Sequence, residues 1–93
     1  MNASQSTLRI QYIPSSISAM ELCFIFEEFG RIVKVDIPSH HNGTPFGFVE
    51  FEDEFDAKSC LKIKQFVISY KGQDYTLQME LYERGTQTKT WIP

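Results

Sequence analysis

A chain of 93 residues and 10.8 kDa has room for one small core, and 42% hydrophobic, 14% aromatic and 23% charged residues are the composition of a folded domain rather than a disordered tail. A net charge of −3 and a pI of about 5.3 exclude a broad phosphate-gripping surface, because proteins that hold nucleic acid mainly by charge are basic. Apolar runs fall short of the roughly 18 residues of a membrane span, the start Met1-Asn-Ala-Ser-Gln-Ser-Thr7 has neither the basic nor the apolar part of a signal peptide, and Cys23 and Cys60 are too few for a disulfide framework or a tetrahedral zinc site.

Residues 1–6 read as a loose terminus. Thr7 to Ile13 alternates, with Leu8, Ile10 and Tyr12 on one face and Thr7, Arg9 and Gln11 on the other, a half-buried strand ended by Pro14-Ser15-Ser16. Ser18-Ala-Met-Glu21 fits the capping box, and Leu22, Ile25, Phe26 and Phe29 follow on one helical face up to Gly30, placed for a left-handed C-cap. Ile32 to Ile37 is a second strand, with Val33, Val35 and Ile37 alternating against Lys34 and Asp36, and Pro38 closes it. The stretch from Ser39 to Pro45 is rich in turn formers, and Phe46 to Phe51 is a third strand. Glu52 to Gln65 reads as a second helix with Ala57, Cys60, Leu61 and Lys64 along one stripe. Phe66 to Tyr70, a Lys71-Gly-Gln-Asp74 link and Tyr75 to Tyr82 read as a hairpin; Glu83 to Pro93 has no clear period.

The order β-α-β-β-α-β, with a short extra hairpin strand before the last strand, predicts an α+β, ferredoxin-like sandwich over residues 7–82: a four-stranded antiparallel sheet with both helices on one face. Residues 83–93 form a C-terminal tail. The second face of the sheet is then bare, and function is expected there or in the loops.

In the third strand Val49 and Phe51 make the natural inward pair, and Gly47 leaves room for helix packing. Phe46, Phe48 and Glu50 then point to the bare face. Nucleobases stack on such rings, at roughly 1–3 kcal/mol each. Thr44-Pro-Phe-Gly-Phe-Val-Glu-Phe51 resembles the RNP1 octamer of the RNA recognition motif family at six of its eight positions. Leu8-Arg-Ile-Gln-Tyr-Ile13 sits where that family has RNP2, and Phe29-Gly-Arg-Ile32 matches its Phe-Gly-x-Ile. The spacing from Val35-x-Ile37-Pro38 to Phe48-Val-Glu-Phe51 also resembles the first such motif of La-related proteins, which works beside a separate La module.

The resemblance implies an RNA-binding module that takes short single-stranded RNA on the sheet. Two bases would stack on Phe46 and Phe48, Arg9, Gln11 and Gln78 would contact base edges or backbone, Lys34 and Tyr82 would flank them, and the loop 38–45 with His41 would close one side. Two features depart from the family. RNP1 opens with Thr44-Pro45 instead of a basic residue and glycine, and RNP2 has Arg9 at its aromatic position, where a guanidinium plane can itself stack on a base. The bare-face charges of Arg9 and Lys34 against Asp36, Glu50 and Glu80 attract phosphate poorly. Weak affinity alone, within a larger RNA-processing protein or assembly, is therefore expected.

The alternative is a protein-interaction module, in which the sheet or the acidic helix face with Glu27 and Glu28 docks a partner, or Trp91 folds back over the sheet, docks on a neighbour or stays disordered. Arg9 would then be a solvated partner of Glu50 or Glu80, and His40 and His41 polar loop residues. The cysteines read as structural, reduced thiols of an intracellular, nuclear or cytoplasmic setting, the nucleus favoured. Catalysis is not expected: the turn Pro14-Ser-Ser-Ile17 lacks the Gly-rich, Arg-bearing phosphate loop of acylphosphatases, Cys23 lacks the Cys-x-x-Cys partner of copper chaperones, and no nucleophile–base pair emerges from spacing. No cofactor, metal, membrane or small-molecule substrate is implied.

Overall fold

The computed structural model describes residues 6–38 and 45–82. The chain runs β1 (Thr7–Gln11), α1 (Ala19–Phe26), a 3₁₀ turn (Glu27–Phe29), β2 (Ile32–Asp36), β3 (Phe46–Phe51), α2 (Glu54–Cys60), β4 (Phe66–Tyr70) and β5 (Gln73–Leu81). The strands form one antiparallel sheet in the order β2-β3-β1-β5-β4. This is the expected α+β arrangement, with the extra strand β4 on the outer edge of β5.

Alternation sorts the sheet's two faces. Leu8 and Ile10 of β1, Val49 and Phe51 of β3 and Leu77 of β5 are buried against Leu22 and Phe26 of α1 and Ala57 and Cys60 of α2. The capping box forms as the sequence predicts: Glu21 N–H donates to Ser18 Oγ at 3.1 Å, and Ser18 N–H donates to Glu21 Oε1 at 2.9 Å. Tyr70 Oη lies 3.0 Å from the same carboxylate oxygen, which ties the start of α1 to β4. These hydrogen bonds, the backbone one first, hold the Glu21 carboxyl below its ordinary value. At Gly47 a Cβ would meet Leu22 Cδ2, Ile37 Cγ1 and the Asp36 carbonyl, each at 3.2 Å, so glycine there lets the helix layer close on the strand.

Five local expectations are corrected. Tyr12 does not join Leu8 and Ile10. It follows β1 in left-handed backbone (φ 67°), donates its N–H to the Pro45 carbonyl at 3.1 Å, and is 47% exposed. Val33 does not face the core, because a bulge sets Ile32 and Lys34 against the consecutive pair Phe51 and Glu50. Ile32 and Val35 then turn inward, and Val33 is 53% exposed. Gly30 is extended (φ 162°) rather than left-handed; glycine is needed because a Cβ would run into the Asp56 side chain, 2.8 Å from its Cβ. The second helix begins after an Asp53 cap and ends at Cys60. Beyond it the apolar stripe meets Lys64, and the chain unwinds through three-residue turns from Leu61 to Ile63. The hairpin link is two residues long: Tyr70 pairs with Gln73, and Lys71 and Gly72 both take positive φ (50° and 82°), the backbone of a type I′ turn.

Candidate nucleic-acid interface

The face turned away from the helices is built from cross-strand rows. Asp36, Phe48, Arg9 and Glu80 stand side by side across β2, β3, β1 and β5. The next row on one side is Lys34, Glu50 and Thr7, with Tyr82 alongside through its N–H bond to the Thr7 carbonyl at 2.9 Å. The row on the other side is Phe46, Gln11 and Gln78. The sheet thus brings together Phe46, Phe48, Arg9, Gln11, Lys34, Gln78 and Tyr82. His40, His41 and the rest of the loop 39–44, with Trp91 and the tail 83–93, lie outside the described residues. Glu27 and Glu28 are exposed on the 3₁₀ turn, away from this face.

The rings lean on one another. Phe46 and Phe48 meet edge to face with centroids 5.6 Å apart, and Phe48 and Tyr82 are 4.7 Å apart at 51°. Tyr82 therefore places a third ring beside the platform, in a family pattern whose usual third ring is missing at Arg9. The Arg9 guanidinium lies over the Phe46 ring, 4.9 Å from its centroid, and its Nη1 is 3.3 Å from Glu80 Oε2. Of the two carboxylates the sequence offered it, Arg9 takes Glu80.

A cavity of about 160 Å³ opens on this face between Thr7, Lys34, Asp36, Phe48, Glu50 and Tyr82. Sequence reasoning put these residues on one face but did not foresee that they enclose a space, nor that Thr7 is 4% exposed. The bulge in β2, invisible to simple alternation, sets the register at that end. Tyr12, at the Phe46 end, is a further exposed ring that period-2 reasoning assigned to the core.

The helix side offers little chemistry. Burial, with the Asp56 charge adding, pushes the Cys60 thiol up to about 11, so it stays protonated and inert. Among the described residues no group of three or more His, Cys, Asp or Glu could hold a metal ion, and no helix is long and apolar enough to cross a membrane.

Among known proteins, a family model described as RNA recognition motif matches residues 8–73. That match ends as β5 begins, so Gln78, Glu80 and Tyr82 join the face through the fold. Serine/arginine-rich splicing factor 9 of Homo sapiens is 33% identical over 49 residues, 53% of this chain and 22% of that protein. The chain spans about a fifth of the length of the splicing-factor relatives it matches. In three dimensions it is similar to the RRM3 domain of Mip6, with a TM-score of 0.70 and 23% identity over 84% of this chain and 94% of that one. It is also similar to Plasmodium falciparum SR1-RRM1, solved in complex with ACAUCA RNA, with a TM-score of 0.61 and 29% identity over 84% of each chain.

Proposed function

The chain belongs to the RNA recognition motif family, and from that premise we propose that residues 7–82 bind short single-stranded RNA by stacking bases on Phe46 and Phe48, as one module of a larger RNA-processing protein. The observation that carries this reading is the pair of adjoining rings on the inner strand β3, turned away from both helices. Tyr82, just past the end of β5, supports the platform. Arg9, Gln11 and Gln78 lie where base edges and sugar–phosphate would pass, and Lys34 is an RNA contact on the β2 side. The SR1-RRM1 domain, which holds ACAUCA RNA, supports RNA as the ligand, and the splicing-factor relatives support RNA processing in the nucleus. Binding without catalysis is the activity, and the mixed charge of the face keeps it weak in isolation.

An amide chemical-shift titration with a randomised pool of short single-stranded RNA, at low and physiological salt, tests this. Shifts centred on Arg9, Phe46, Phe48 and Gln78 are expected. A face that stays silent at low salt overturns the reading in favour of a protein ligand. A second, separate surface has its own support: Met20 and Phe24, one turn apart on α1 and 69% and 64% exposed, adjoin Glu27 and Glu28, a combination suited to an apolar, basic peptide.

A further inference from the structure

The stacking platform accounts for the rings but not for the cavity beside them. Its wall holds two carboxylates, Asp36 and Glu50, and one ammonium, Lys34; among the described residues none of the three is held in an ion pair, whereas Arg9 is committed to Glu80. Thr7 lies in the same wall, 4% exposed, and its Oγ1 is buried without a hydrogen-bond partner among the described residues. A buried hydroxyl left without a partner is costly, and a side-chain rotation that brings it to a ligand group in the cavity removes the cost. Phe48 and Tyr82 supply aromatic walls. The cavity is thus aromatic on its sides, polar in its lining and about the size of one planar base.

Its charge pattern argues against phosphate. Two carboxylates repel the RNA backbone, so the occupant must bring hydrogen-bond donors. Glu50 stands directly opposite Lys34 on one neighbour strand and Thr7 on the other. That row offers a donor beside an acceptor-only carboxylate. Among the four bases guanine alone presents the matching edge: an acceptor, O6, beside two adjacent donors, N1–H and N2–H. The two donors can engage one carboxylate side by side, while the ammonium takes O6. Uracil presents a single donor, N3–H, between two carbonyl oxygens, so that with one oxygen on the ammonium the other is set against the carboxylate, and adenine and cytosine each present one amino group beside a ring nitrogen that accepts.

Building on the RNA reading above, we propose that this cavity is a guanine-selective subsite. Glu50 accepts from the N1–H and N2–H groups, Lys34 donates to O6, Thr7 gives its unpartnered hydroxyl to the bound nucleotide, and the neighbouring base stacks on the Phe46–Phe48 platform.

Fluorescence anisotropy of the 93-residue protein with end-labelled UUUUU, UUGUU, UUAUU and UUCUU tests this, with Glu50→Gln, Thr7→Val and Phe48→Ala alongside. UUGUU is expected to bind about tenfold more tightly than the other three, the discrimination of one good bidentate pair. Glu50→Gln, which keeps the shape, replaces one acceptor by a donor and removes one negative charge from the face, is expected to raise UUUUU binding and to erase the preference, so that UUGUU and UUUUU bind alike. Thr7→Val, isosteric and apolar, is expected to weaken UUGUU while the melting temperature holds or rises; unchanged UUGUU affinity would remove Thr7 from the subsite. Equal affinities for all four pentamers, a preference for another base, or a guanine preference that survives Glu50→Gln would overturn the subsite and leave the platform standing. If no pentamer binds, or Phe48→Ala binds all four like the parent, the platform reading falls and takes the subsite with it.

Discussion

Two aromatic clusters sit on opposite sides of the same sheet. On the helix side Phe26, Phe29 and Phe66 have centroids 5.5–5.9 Å apart; on the open side Phe46–Phe48 and Phe48–Tyr82 are 5.6 and 4.7 Å apart. Ring spacing does not distinguish them. Their surroundings do: Phe26 is 0% exposed among Leu22, Phe51 and the rest of the core, whereas the open cluster is rimmed by Arg9, Glu80, Lys34, Asp36 and Glu50. The same ring-on-ring packing holds the fold together where charge is excluded and leaves rings on an open face where charge borders it.

Truncating one ring on each side is the strongest way to break that comparison. Phe26→Ala leaves a hole under α1 and is expected to cost about 3–5 kcal/mol, enough to unfold a domain of this size at moderate temperature. Thermal and urea unfolding followed by circular dichroism checks it. Phe46→Ala with Phe48→Ala is expected to change stability by no more than about 1–2 kcal/mol and to lose about 1–3 kcal/mol of RNA affinity per stacked base, which takes a weak binder below detection in the same titration. A double mutant that unfolds like Phe26→Ala would place the open rings in the core's energetics and end the distinction.

How legible each cluster was in the sequence follows from what fixes it. The open one depends on strict alternation in Phe46–Phe51, and period 2 alone assigns those side chains to their faces. The same rule failed in β2, where a bulge moves one residue out of register and Val33 turns outward. It failed again at Tyr12, where left-handed backbone ends the strand early. The helix-side cluster needed Phe66, from the first residue of β4, to meet Phe26 and Phe29, a contact across some 40 residues that no local pattern encodes. The cavity was illegible for the same reason, because it is the product of register across three strands and the residue that follows β5 rather than of any one strand. The start of α1, by contrast, was readable to the residue, since a capping box is a four-residue device with its partners in sequence.

That device supports the helix side, and its loss should be smaller than that of Phe26. Ser18→Ala is expected to cost about 1 kcal/mol. Glu21 adds a pH signature. Its carboxyl lies below the ordinary value of 4.5 in the folded protein, because it accepts from the Ser18 backbone and from Tyr70. A depressed carboxyl contributes stability that is complete above the unfolded value and is lost as pH falls through the folded one. Stability measured from pH 6 down to pH 3 should therefore fall below about pH 4.5 more steeply in the parent than in Glu21→Gln, while RNA binding at neutral pH stays the same in both. A matched pH profile in the two proteins would detach Glu21 from the helix start.

The smallest expected effect on stability tests the rim of the open cluster. Arg9 lies over Phe46 and pairs with Glu80, with the two side chains 37% and 53% exposed, so the pair itself contributes less than about 1 kcal/mol. Glu80→Gln should accordingly melt within a degree or two of the parent. It also removes one of three negative charges from the face and frees the guanidinium. If Arg9 then meets a phosphate, RNA affinity rises, and the plot of log affinity against log salt steepens by about 0.7, the increment for one added contact to a single strand. If Arg9 instead stacks on a base, affinity rises with the salt slope unchanged. If affinity falls, Glu80 is holding Arg9 in its binding pose, and the ion pair belongs to the platform's preorganisation rather than to its charge.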